Sequence, residues 1–372
     1  MKDNDFRRIL PAIKRLNHFL PKYQDQIIDR WEKVPFMTKG DIDKISSQTN
    51  FSHESYCVYF TSGTTSKPRA IYHDEGDIKN ISNYIKWFCE VENIKKGSLT
   101  VVLMDQSFWG VGYFTMLGHV KYGNQVVPID TDLPPNKIRE ILETMKPNIV
   151  SSIPSVLFYL KDFLKGINFD FIETTGEYLN NKKRQELENC FKGEVFDSYG
   201  LTECVLGVEC KEHNGFHYDL NKIKLEVVDE EGNILPDNKW GELVITILRN
   251  KRIPLIRYKS GDICKLISEK CICGINKPRV KFKRRIKKVY HLYEGYELEH
   301  RVIEKLVERI YGESKKIDIN CEIRSGVFHL KIFIKDGEKK INYKIKRRLE
   351  KMNFEILHMV RRKRLFINVS NL

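Results

Sequence analysis

The sequence predicts an α/β protein of two units: a large N-terminal domain, built as a parallel α/β core plus an antiparallel sheet or barrel, and a small α+β domain at the C-terminus. Three observations carry this reading. Short apolar runs alternate with amphipathic segments from residue 99 to 151, the texture of βαβ units. From Ile223 to Ile267 the pattern changes to alternating strands punctuated by turn signals. The charge is also divided unevenly. The chain holds 64 Lys and Arg against 50 Asp and Glu, a net +14, yet residues 277–372 alone hold 27 basic and 12 acidic residues, an excess of +15. The division is placed at 1–284 and 285–372.

In the first unit, Leu99–Met104 and Gln125–Ile129 read as buried strands. Asn136–Met145 carries Ile138, Ile141, Leu142 and Met145 on one helical face, and 147–151 reads as the next strand. Residues 223–228, 241–247 and 262–267 are the alternating strands, separated by Glu-Gly and Pro-Asp turns. The last unit reads as a helix (298–311), two strands (317–324 and 327–334), a helix (339–352) and a final strand over 355–360.

Composition excludes several classes. At 372 residues and 41% hydrophobic, the chain is long and apolar enough for packed cores, so a disordered basic tail is excluded. No run approaches the roughly 20 apolar residues of a spanning helix, and Met1-Lys-Asp-Asn-Asp leads into no signal-like apolar stretch. Nine dispersed cysteines read as reduced thiols or metal ligands. A soluble cytoplasmic protein with no membrane partner is expected.

Three stretches carry chemistry. Thr61, Ser62, Gly63, Thr64, Thr65, Ser66 and Lys67 follow an apolar run, and their hydroxyls, one glycine and one lysine suit a phosphate cradle. The spacing is not that of a Walker A loop, and the composition also fits a polar surface turn. In Asp197-Ser-Tyr-Gly-Leu-Thr-Glu203, Tyr199 offers a face for a purine, Thr202 a phosphate donor and Glu203 a carboxylate for Mg²⁺. In Arg257-Tyr-Lys-Ser-Gly-Asp262, Asp262 could take two ribose hydroxyls. Each of the last two also fits a plain turn.

Taken in order, the three stretches resemble the adenylate-forming (AMP-binding) superfamily, and within it the phenylacetate–CoA ligase branch. Trp31–Asp41, Tyr113–Val127, Ile153-Pro-Ser155, Gly176-Glu177, Gly241-Glu-Leu-Val-Ile-Thr and Cys271-Ile-Cys-Gly274 extend the likeness over nearly the whole chain. The resemblance implies that residues 1–284 form the adenylation core and 285–372 a mobile domain swinging about Lys287. It implies that Thr61, Ser62, Gly63, Thr64, Thr65 and Lys67 hold the outer phosphates of ATP. Gly176, Glu177 and Tyr199 would frame adenine, Thr202 would lie near the α-phosphate, Glu203 would hold Mg²⁺, and Asp262 with Arg285 would bind the ribose. The implied reaction turns an aryl or short acyl acid into acyl-AMP and pyrophosphate, then transfers the acyl group to CoA or a carrier-protein phosphopantetheine. An acyl-protein synthetase loading a protein thiol is the near alternative. A nucleic-acid-binding protein and a non-catalytic relative are the distant ones, and the basic residues lack the aromatic interleaving of an RNA module.

The chain departs from the family's pattern in places. Ser66 stands where the loop normally has glycine, and the domain junction reads Arg284-Arg-Ile-Lys-Lys288. The catalytic lysine's region reads Val360-Arg-Arg-Lys-Arg-Leu365, so Lys363 is the candidate, with a solvated basic strand end as the competing reading. Phe108, Trp109, Gly110 and Tyr113 are candidates for the acyl pocket or for core packing. Finally, Cys210, His217, Cys271 and Cys273 form a Cys₃His set suited to structural zinc. Relatives of the branch carry Cys, His and Cys-x-Cys at the matching places; His213 is a rival ligand, and thiols without metal fit the same spacing.

Overall fold

The computed structural model describes residues 3–23, 28–48, 57–61, 69–106, 110–248, 254–286, 289–292, 296–324, 327–352, 354–362 and 364–371. Its centre is one hydrogen-bonded sheet of eleven strands. In spatial order these are Ile223–Val228, Gly241–Ile247, Tyr258–Ile267, Arg279–Arg285, Phe216–His217, Cys204–Glu209, Glu194–Leu201, Phe171–Thr175, Ile149–Ser152, Leu99–Leu103 and Gln125–Ile129. The last five are mutually parallel. The run Leu99–Leu103 is that of a strand covered on both faces, and Val101, Val102, Leu103, Ile149 and Ile172 are fully buried, whereas Gln125–Ile129 at the sheet edge is half exposed.

Helices cross between these strands. Pro135–Met145 starts with proline at its first turn and stops where Lys146 adopts a left-handed conformation. Glu75–Val91 starts on Asp74, whose side chain accepts from the Asp77 N–H at 2.7 Å. This helix turns Ile81, Ile85 and Phe88 toward Val111–Tyr122. The two approach closely at Gly118, where a Cβ would lie 2.3 Å from Ile85 Cγ2.

The antiparallel half expected from the sequence is present, but it is not a separate layer stacked on the core. The hairpin Glu194–Leu201/Cys204–Glu209 reverses the chain at the edge of the parallel half, and Phe216–His217 and Arg279–Arg285 carry the same sheet onward. The segment after Arg30 clasps this half from outside. Trp31 is buried with its indole N–H donating to Glu226 Oε1 at 2.9 Å, and the Arg257 guanidinium lies 4.1 Å from the Phe36 ring centre. Arg257 also donates to the Val34 carbonyl at 3.0 Å, a structural use of the third motif's first residue.

After Arg285 the chain forms a small hairpin, Val289–His291 with Glu297–Glu299, and then a three-stranded sheet with three helices. Ile317–Arg324 and Val327–Ile334 pair antiparallel, and Leu365–Asn371 joins the latter in parallel. The strand expected over 355–360 is instead the helix Phe354–Arg361. Ile356, Met359 and Val360 sit at helical spacing, and a parallel third strand needs a long crossover before it. Leu365–Asn371 takes the strand position because Leu365 and Ile367 alternate inward. Buried residues of this unit and of the parallel half belong to one apolar cluster. Arg364, almost wholly buried, donates to the Thr131 carbonyl at 2.7 Å and pairs with Asp132 at 3.1 Å. Among the described residues no helix is long and apolar enough to cross a membrane.

Candidate active site

The carboxyl ends of the parallel strands are where open α/β sheets bind ligands, and the described site residues gather there. Thr202 and Glu203 are the two turn residues of the hairpin that pairs Leu201 with Cys204. A register shift between Tyr199 and Gly200 interrupts the ladder just before the turn. Gly176 follows the strand Phe171–Thr175 in a left-handed conformation, φ +80°, which a side chain there would strain.

Tyr199 and Asp262 are 63 residues apart in the chain, and the sheet brings the Tyr199 hydroxyl to 2.5 Å from Asp262 Oδ2. Arg285 pairs with Asp262 Oδ1 at 2.9 Å from the neighbouring strand. Asp262 is 1% exposed, so its charge is held by these partners and not by water. Burial, followed by the nearby Cys264 and Asp262, pushes the Tyr199 phenol well above its ordinary value. Tyr199 therefore stays a neutral donor. A cleft of about 50 Å³ joins Gly176, Glu177, Tyr199, Asp262 and Arg285. Three of its walls were not singled out from the sequence: Tyr178, Phe216 and Phe282. Tyr178 and Phe282 have ring centres 5.4 Å apart, and Phe282 is 5.9 Å from Tyr199. The alternation of Arg279–Arg285, which exposes Phe282 on one face, was the signal available for it.

Glu177 is turned partly away, since its Oε2 accepts the Ser155 backbone N–H at 3.0 Å. Glu203 faces Tyr258, whose hydroxyl donates to its Oε1 at 3.4 Å. A larger cavity of about 240 Å³ opens beside the cleft, lined by Gly176, Tyr199, Thr202 and Arg285 and continuing inward between the helices Glu75–Val91 and Val111–Tyr122. Phe114 and Thr115 line it, whereas Tyr113 packs on Tyr59, ring centres 6.1 Å apart. Gly110 is also a packing residue, because a Cβ there would meet the Tyr59 ring at 2.6 Å. Ser62, Gly63, Thr64, Thr65, Ser66, Lys67, Phe108, Trp109, Lys287 and Lys363 lie outside the described residues, as does the side chain of Thr61.

A second cluster lies on the antiparallel half. The ligand atoms of Cys210, His217, Cys271 and Cys273 all fall within 4.8 Å of one another. Cys210 and Cys271 sulfurs are 3.8 Å apart, and Cys273 Sγ is 3.4 Å from His217 Nε2. His217 Nδ1 donates to the Lys277 carbonyl at 3.0 Å, which turns Nε2 toward the thiols as an acceptor. The rival, His213, is directed to Glu209 at 3.3 Å and stays outside the set.

The family model for AMP-binding enzyme matches residues 14–247. The phenylacetate–coenzyme A ligase of Thermus thermophilus is 26% identical over 262 residues, covering 65% of this chain and 58% of that protein. The Pseudomonas putida enzyme of the same name is 22% identical over 349 residues, covering 83% of this chain and 75% of its own. The chain thus spans about 58% of the length of the first of these relatives. A solved 2-hydroxyisobutyryl-CoA ligase, in complex with 2-HIB-AMP and CoA in the thioesterification state, superposes with a TM-score of 0.77 at 19% identity, covering 98% of this chain and 86% of that one. With the fold, the cleft and the match over most of the core in hand, the chain belongs to the AMP-binding enzyme family, in its phenylacetate–CoA ligase-like branch.

Proposed function

We propose that the protein activates a carboxylic acid with ATP and transfers the acyl group to a thiol. The observation that carries this is the Tyr199–Asp262–Arg285 group at the strand ends, centred on the buried Asp262, with Tyr199 and Arg285 opening onto the same cavity as Thr202. In this reading Asp262 accepts the ribose hydroxyls while Arg285 holds its carboxylate in place, and Tyr178, Tyr199 and Phe282 supply flat faces for adenine. Thr202 donates to the α-phosphate. A substrate carboxylate oxygen bonds to the α-phosphorus, and the bond to the β-phosphate oxygen breaks, so pyrophosphate leaves with the electron pair. The substrate is already ionised, so no general base is required. The protein's task is alignment and charge stabilisation.

Residues Thr61–Lys67 are assigned to the outer phosphates and Lys363 to the adenylation step. Glu203 would hold Mg²⁺; a carboxylate at a turn beside Thr202 suits a hard cation, which offsets charge on the phosphates when bound. Lys287 is assigned as the pivot of the C-terminal unit. The arrangement of the two units supports a thioester-forming geometry. The same 2-hydroxyisobutyryl-CoA ligase fits with a TM-score of 0.77 in its thioesterification state and 0.66 in a postadenylation state. CoA is the acceptor favoured by the relatives' names. An acidic carrier protein is the second reading, favoured by the +15 excess of residues 277–372, which would speed encounter with an acidic partner. The Cys210–His217–Cys271–Cys273 set fits zinc as a structural clasp, tying two loops of the antiparallel half.

The test is carboxylate-dependent ATP–pyrophosphate exchange on the full chain, followed by thioester formation with CoA or a phosphopantetheinylated carrier. Exchange with a subset of aryl or acyl acids is expected. Absence of exchange across a broad acid panel, with ATP bound normally, would sink the activity.

A further inference from the structure

The inner end of the 240 Å³ cavity is not apolar. Glu92, His119, Ser151 and Glu173 line it, each no more than 9% exposed. Glu92 lies just past the end of the helix Glu75–Val91, in line with Ile81, Ile85 and Phe88, which line the same cavity. His119 Nε2 is 2.9 Å from Glu173 Oε2. Its Nδ1 lies 3.2 Å from Asn124 Nδ2 and 3.3 Å from Thr100 Oγ1.

Glu92 and Glu173 line the same end of the cavity, and each bears on the other's charge. Two buried carboxyl groups that bear on one another resist ionising together. Burial first, and then the neighbouring Glu173, push the Glu92 carboxyl well above its ordinary value. Burial opposes the charge on Glu173, yet the His119 ring, with hydrogen bonds from Glu92 and Ser151, holds it below. The proton therefore sits on Glu92. Cys89, His119 and Glu173 also bring their ligand atoms within 4.8 Å of one another. Both His119 nitrogens are already used by protein partners, so we read the cluster as a scaffold for Glu92 and not as a metal site.

Resting on the adenylation reading above, we propose that this cavity selects carboxylic acids whose far end carries a hydrogen-bond donor, a hydroxyl or amino group, received by the Glu92 carboxyl group at its inner end. An acid ending in a methyl group or a bare ring edge would set an apolar end against the buried Glu92, Ser151 and Glu173 and give them no donor. A site built to bond a polar group rejects the analogue lacking it far more strongly than an apolar pocket rejects a missing methylene. Arg285 and Thr202, on the nucleotide side of the same cavity, leave the substrate's own carboxylate at the opposite end.

The experiment pairs acids that differ only in the donor: phenylacetate with its 4-hydroxy and 4-amino derivatives, and hexanoate with 6-hydroxyhexanoate. Direct binding is measured by calorimetry with AMP present, and ATP–pyrophosphate exchange separately. In at least one pair the donor-bearing acid should bind and exchange tenfold or more better. Glu92→Leu should abolish or reverse that preference. Glu92→Gln, which keeps a neutral carbonyl acceptor, should retain it, and guards against a folding defect in the leucine variant. Exchange without donor preference, or a preference unmoved in Glu92→Leu, overturns this inference and leaves the activity standing. Donor-selective binding without exchange keeps the inference and overturns the activity. Neither binding nor exchange overturns both.

Discussion

The two ends of the central cavity are both built around buried carboxyl groups, and they are built differently. At the end proposed for the nucleotide, Asp262 is met by Tyr199 at 2.5 Å and Arg285 at 2.9 Å. At the inner end, burial and then the neighbouring Glu173 hold the Glu92 carboxyl well above its ordinary value, so it keeps its proton. The first arrangement is a charge clamped by an arginine, suited to a ligand that every member of the family shares. The second is a neutral acid waiting for a partner, suited to a ligand that varies. The lesson is that the same residue type becomes a fixed binder or a selector according to whether a cation stands beside it.

Removing the clamp should have the largest effect. Asp262→Ala is expected to lower exchange by about 10²-fold or more, the usual scale for a preorganised polar contact, while the order of preferred acids stays the same. A changed order would break the division between the two ends. Next comes the cluster that belongs to neither end. Cys271→Ser should release zinc, read by metal analysis of the untagged protein. With free zinc about a thousandfold above its dissociation constant, lost binding removes roughly 4 kcal/mol of stability. Less than half an equivalent of zinc in the unmodified protein would remove the assignment.

A smaller effect is expected at the aromatic wall proposed for adenine. Phe282→Ala should raise KM for ATP roughly tenfold, since an aromatic contact contributes about 0.5–1.5 kcal/mol beyond its buried area. An unchanged KM would leave Phe282 as packing for Tyr178 alone. The smallest is a difference in slope. Folded Glu92 keeps a proton that the unfolded chain releases above the ordinary glutamate value of 4.5. The folded state binds more protons there, so this group's contribution to stability falls as pH rises. Asp197, Glu173 and Glu209 press in the same direction and are kept in the variant. Glu92→Gln should therefore match the parent below about pH 4.5 and melt progressively higher than it through pH 8. A difference independent of pH would mean that Glu92 is ionised in the folded protein, and that the inner end is not neutral.

Much of the architecture was legible because it rests on local period. The strands Leu99–Leu103 and Gln125–Ile129 and the helix Pro135–Met145 fall where apolar spacing places them. Residues 355–360 were misread as a strand because a short apolar run does not separate strand from buried helix; the need for a crossover before a parallel strand decided it. Tyr199, Thr202 and Asp262 stand in short motifs, each weak alone, and Arg285 enters only through the family resemblance. Glu92, His119 and Glu173 were missed. A glutamate closing a helix reads as solvated, although Glu92 falls four residues after Phe88 and seven after Ile85, on the apolar face. That placement was the signal.

The sequence by itself determined the order of helices and strands, the basic excess of the last unit and the residue types available for nucleotide chemistry, because these depend on neighbours a few positions apart. Only the tertiary structure decided which of them meet. It joined the antiparallel half to the parallel one in a single sheet, set Tyr199 against Asp262 across 63 positions, chose His217 over His213, and buried Glu92 beside Glu173. Those outcomes depend on desolvation and close packing between distant segments, which no local pattern encodes.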